Sequence, residues 1–111
     1  MSKSNEMYPT ATAESAKKKA NLAPKQIEAW RTFSRTVFKE GVLDEKTKQL
    51  IAVAVAHVTQ CPYCIKSHVP QALKNGASQE EIMEAIWVAA EMRAGAAYAH
   101  ANIALDAMEN E

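Results

Sequence analysis

From Pro24 onward, the apolar residues Ile27, Trp30, Phe33, Val37 and Phe38 recur at spacings that place them along one side of a helix. Pro24 suits the first helical position, where a missing N–H costs nothing, and Gly41 ends the segment. Asp44 is a good N-cap for a second helix carrying Leu50, Ile51, Val53 and Val55 to about Val58. The alternation of alanine and valine there also fits a strand. The polar run from Asp44 to Gln49 and the lack of hairpin turns favour helix. Pro62 forces a break, so a third helix starts at Cys61 or Pro62 and runs to Gly76, a natural residue just past a helix end. Pro70 within it predicts a kink or a helix in two pieces. Ser78 with Glu81 three residues on makes a capping box for a long final helix to about Met108.

Before Pro24 the pattern is weaker. Met1 to about Thr10 shows no periodicity, and Ala11 to Ala20 predicts a short polar helix. The expectation is an all-α, oligomeric helical bundle of four or five helices. Residues 1–23 form a partly helical N-terminal arm and residues 24–111 the helical domain. The final helix carries Ile82, Ile86, Val88, Ala89, Met92, Ala96, Ala99, Ile103 and Leu105, which do not keep to one narrow stripe. A helix apolar nearly all round must be covered on most sides, which predicts a homo-oligomer. The run Ala94-Gly95-Ala96-Ala97 permits close helix approach, either within one chain or between chains.

Composition narrows the function. With 111 residues the chain is one domain. Thirteen basic and thirteen acidic residues cancel, which leaves no electrostatic case for nucleic acid or an anionic membrane. Lys17-Lys18-Lys19 reads as a solvated face. No basic start followed by an apolar run marks a signal peptide. The stretch from Ile82 to Leu105 is interrupted by Glu84, Glu91, Arg93 and His100, against a membrane span. A cytoplasmic location is therefore expected, and there two cysteines spaced Cys61-Pro62-Tyr63-Cys64 read as redox or metal chemistry rather than a structural staple.

Thiolates, not thiols, attack peroxides and disulfides, so reactivity at neutral pH needs a thiol pKa below its usual ~8.5. Pro62 places both sulfurs in the first turn of a helix, where unpaired N–H groups and the positive dipole end favour an anion. His68, four residues after Cys64, shares its helical face and can take its proton. The helix end favours Cys61 as the attacking sulfur and the histidine favours Cys64; spacing alone does not choose. A two-residue gap lets one sulfur resolve the other as a disulfide that an external thiol reopens. Structural zinc needs four ligands, and His57, His68 and His100 form no second paired motif. Two inert buried cysteines are the remaining alternative. No nucleotide, flavin or haem motif is present, so no cofactor is expected and electrons must come from a thiol protein or a small thiol.

Glutaredoxins carry the same Cys-Pro-Tyr-Cys tetrapeptide, but they need a preceding strand and a βαβ framework that this pattern does not supply. The segment from Leu43 to His68, with Cys61-Pro62-Tyr63-Cys64 followed by His68, resembles the AhpD-like branch of the carboxymuconolactone decarboxylase family. The stretches Ala72 to Ala77 and Glu80 to His100 resemble the rest of that domain, so the likeness covers about residues 24 to 106. It implies an all-α fold assembled as a homotrimer or homohexamer, and a thiol-dependent peroxidase or disulfide reductase acting on a peroxide or disulfide substrate. It also implies that Cys64 is the peroxidatic sulfur, that Cys61 resolves it, and that His68 belongs to the proton relay. The best-known members carry a glutamate twelve residues before the first cysteine; Gln49 stands there, which hydrogen-bonds but does not titrate. His57 is a candidate substitute, against the plainer reading of a core or helix-capping histidine. The family's lactone decarboxylases lack the cysteine pair, which argues against that activity here. With Gln49 in the relay, the alternative is a redox-sensing or scaffold oligomer with little turnover.

Overall fold

The computed structural model describes residues 7–110, and the expectation for Met1 to Glu6 lies outside the described residues. Among the described residues the protein is all-α, with six helices: α1 (Ala13–Leu22), α2 (Pro24–Phe38), α3 (Glu45–Thr59), α4 (Pro62–Lys74), α5 (Gln79–Ala99) and α6 (Ala101–Glu109). The chain divides after Lys39 into two compact units.

The first unit pairs α1 with α2. Thr12 caps α1 in a reciprocal box, its hydroxyl accepting from the Ser15 N–H at 3.0 Å while Ser15 Oγ accepts from the Thr12 N–H at 3.0 Å. Pro24 opens α2, as its fixed φ requires. The apolar side of α2 stays open: Trp30 and Phe33, tilted rings 5.8 Å apart, are both more than half exposed.

The second unit holds the core. The Thr47 N–H donates to Asp44 Oδ1 at 2.8 Å at the start of α3, and hydrogen bonding from the Thr47 side chain, and then from this N–H, holds the Asp44 carboxyl below its ordinary pKa. At the other end Gln60 takes the left-handed conformation (φ 57°), and the Cys61 N–H returns to the Ala56 carbonyl at 3.1 Å. This closure turns the chain at once into α4. α4 ends in the same way on Gly76 (φ 93°): the Gly76 N–H bonds Leu73 O at 3.0 Å and the Ala77 N–H bonds Ala72 O at 3.0 Å. The Ser78–Glu81 box opens α5, and Glu81 also reaches Lys46 on α3 at 2.7 Å. Val53, Ala72, Ala77 and Ile82 form the core, with Leu50, Val69 and Ile86 packed against it. It lies where α3 packs against α4 and α5.

Of the two outcomes expected at Pro70, a kink or a helix in two pieces, the second does not occur: α4 runs through Pro70 as one element. Proline removes a single intrahelical bond, and Val69 and Ala72 pack into the core on either side of it, so the turn is held. One expectation needs correction. The final helix, expected as one element, divides at His100 into α5 and α6. There the His100 ring Nδ1 sits 2.7 Å from Ala96 O, and Asn102 Nδ2 donates to Ala99 O at 3.1 Å. These side-chain bonds compete for carbonyls at the helix end, while the Ile103 N–H bonds His100 O at 2.9 Å in a tighter turn. Among the described residues, no helix is long and apolar enough to cross a membrane.

Candidate active site

The site is built on the α3–α4 corner. Gln60 closes α3 and delivers Cys61 as the N-cap of α4, with Pro62 in the first turn. Cys61 and Cys64 are joined as a disulfide, their Cα atoms 5.2 Å apart. The Cys61 sulfur also accepts from the Cys64 backbone N–H at 3.2 Å. It thus takes the place that a serine or aspartate oxygen usually fills at a helix start. An anion on Cys61 would sit on an otherwise unpaired helical N–H at the positive end of the dipole. Both cysteines are partly buried.

One turn beyond Cys64, His68 is also partly buried, and burial pushes its pKa below the ordinary histidine value. Its Nδ1 lies 2.8 Å from Oε1 of Gln49, which reaches across from α3. Gln49 is the buried polar residue of this unit, only 4% exposed. Its Nε2 lies 3.4 Å from Gln71 Oε1, and Gln71 Nε2 in turn lies 3.1 Å from Ser67 O and 3.0 Å from Ser67 Oγ. Among the described residues, no buried side-chain nitrogen or oxygen is left without a partner.

The fold therefore brings together Cys61, Cys64, His68 and Gln49. His57 is turned differently: its Nδ1 bonds Val53 O of its own helix at 2.7 Å, and not the cysteine pair. His100 is exposed at the α5–α6 junction. Gln71 and Ser67 join the site with no motif to announce them. Their signal in the sequence is weak: Ser67, His68 and Gln71 recur at helical spacing as polar residues on α4. Among the described residues, no group of three or more His, Cys, Asp or Glu side chains is gathered as metal ligands.

Residues 24–107 match the model of the carboxymuconolactone decarboxylase family. This chain belongs to that family. A Paracoccus denitrificans protein, described as uncharacterized protein 4 in the cox locus, is 66% identical over 82 residues, covering 74% of each chain. A carboxymuconolactone decarboxylase family protein from Legionella pneumophila superposes with a TM-score of 0.70 at 34% identity, covering 86% of each chain. A second structure of the family, from Thermotoga maritima, has a suggested part in an antioxidative response. It superposes with a TM-score of 0.55 at 34% identity, over 58% of this chain and 66% of that one. The cysteine pair and the all-α fold of this family member are consistent with its AhpD-like branch, and they fit a redox role.

Proposed function

We propose that this family member is a thiol-dependent peroxidase or disulfide reductase, with Cys64 attacking, Cys61 resolving and His68 as the base. The observation that carries the reading is the Cys61–Cys64 disulfide at the start of α4 with His68 one turn on, its ring bonded to Gln49. In the reduced protein His68 accepts the Cys64 proton, and the Cys64 thiolate attacks the terminal oxygen of a hydroperoxide. The O–O bond breaks, the alkoxide leaves as an alcohol with the proton from His68, and Cys64 becomes a sulfenic acid. Cys61, whose thiolate the Cys64 N–H stabilises, attacks that sulfur and expels hydroxide, which leaves as water. An external dithiol then supplies two electrons and two protons to reopen the disulfide. Such a reductant is the property of a reducing compartment, which suits a cytoplasmic setting.

A second reading has its own support. Gln49 stands beside His68 and cannot take a proton from it, so the proton stays on the ring. A redox-sensing oligomer that switches slowly needs no faster relay. Turnover of an organic hydroperoxide with a dithiol reductant decides between the two. Cys64→Ser abolishes it if the peroxidase reading holds. Undiminished turnover in that variant would end the assignment of Cys64, and negligible turnover by the wild type would favour the sensor.

We also propose that copies of this chain cover the exposed apolar surface of α5 and α6 as a homotrimer or homohexamer. Trp87, Met92, Tyr98, Ile103 and Met108 are each more than 60% exposed in the single chain. Exposed apolar residues clustered on two successive helices favour association.

A further inference from the structure

We infer that Gln71 is a positioning residue: acting through Gln49, its amide holds the proton of neutral His68 on Nδ1 and keeps Nε2 as the basic nitrogen. The inference rests on the reading of His68 as the base for Cys64.

One acceptor in this chain of bonds has a polarity that admits no choice. The backbone carbonyl of Ser67 only accepts, so the Gln71 atom 3.1 Å from it must be the NH2 group. The same nitrogen reaches Ser67 Oγ at 3.0 Å, where the hydroxyl accepts. Gln71 Oε1 is thereby turned toward Gln49. An amide oxygen cannot face another amide oxygen at 3.4 Å with any gain, so Gln49 presents its Nε2 to Gln71. Gln49 Oε1 is then the atom 2.8 Å from the His68 ring, and an oxygen that only accepts requires a hydrogen on Nδ1. Each amide orientation follows from the one before, and the last step sets the tautomer.

This order of bonds opposes the ring's own preference, because imidazole in water favours the proton on Nε2. Gln49 is almost fully buried, so water does not readily replace Gln71 as its partner. Releasing Gln49 lets its amide turn over and present Nε2 to the ring, which then carries its lone pair on Nδ1 and its proton on Nε2. In that form the ring has a donor where the reaction with Cys64 needs an acceptor. A carboxylate in place of Gln49 would hold the ring without any help from a second amide. The chain through Gln71 and Ser67 is what an amide at this position needs to do the same.

The test is the ring nitrogen spectrum of His68 in the full chain, 15N-labelled, in the disulfide form and above the titration of the ring. The wild type should show a protonated Nδ1 and an unprotonated Nε2. Gln71→Leu should shift His68 toward the Nε2–H form, and the reduced variant should react with an organic hydroperoxide more slowly by the fraction of the Nδ1–H form lost. Gln71→Glu loses the bond to Ser67 O but can accept from the Ser67 hydroxyl, so its carboxylate still meets Gln49 Nε2 and should keep the wild-type spectrum. A wild-type ring protonated on Nε2 overturns the inference whether or not the variants fold. An unchanged tautomer in a folded Gln71→Leu also overturns it. Failure of the peroxidase reading looks different: the ring nitrogens behave as stated, but the Cys64 thiol does not respond to hydroperoxide.

Discussion

The α3–α4 corner and the α5–α6 end of the same unit differ in what they do with apolar surface. At the corner, Val53 and Ala72 are fully buried, and a buried glutamine has every polar atom partnered. From Glu91 to Asn110 every residue is exposed, large apolar side chains among them. The corner also carries the candidate site. A cysteine N-cap, a histidine and three further polar side chains are held there by hydrogen bonds. The contrast teaches that the candidate site is held by a packed core that α3 forms with α4 and α5. The far end leaves its large apolar side chains open, the surface that the proposed assembly would cover.

Three experiments break or sharpen this contrast. The largest effect is expected at the corner. Val53→Ala removes two buried methyl groups and leaves a cavity between α3 and its neighbours, destabilising the fold by about 2 kcal/mol. A denaturant titration measures it, and a loss below about 0.5 kcal/mol would show that the corner is not closely packed. At the far end, Trp87→Lys should change the stability of the isolated chain by no more than about 0.5 kcal/mol, because the ring is 69% exposed. Its effect should fall on assembly. Light scattering should show a smaller particle, and the concentration dependence of Tm expected of the wild type should weaken. A variant with unchanged particle mass would remove α5 from the contact surface.

The smallest effect is the pH dependence of stability at His68. Burial lowers its pKa in the folded protein, so the unfolded chain binds the proton more readily. Stability is therefore full above about 6.5, the unfolded value, and falls as pH drops toward and through the lower folded value. The ring is only partly buried, which keeps the loss small. Urea midpoints measured from pH 7.5 to 5.5, against His68→Asn as the flat reference, isolate it. A wild-type curve parallel to that of the variant would mean that burial does not perturb the ring.

Much of the corner could be read from the chain. Asp44, Pro62, Gly76 and Ser78 mark helix boundaries because capping, proline geometry and left-handed closure act over a few neighbouring residues. The Cys61-x-x-Cys64 pair with His68 one turn later is local in the same sense. His100 misled for the opposite reason. The break there is decided by which side chains capture the last carbonyls.

The sequence by itself determined an all-α chain, the helix ends at the corner and a thiol pair at the start of a helix, since each follows from contacts within about one turn. Only the tertiary structure decided that Gln49 meets His68 across 19 positions of chain and Gln71 across 22. Periodicity says which side of a helix is apolar, but not which residue of a neighbouring helix stands opposite a polar one. That pairing is set by the packing of α3 on α4 around Val53 and Ala72.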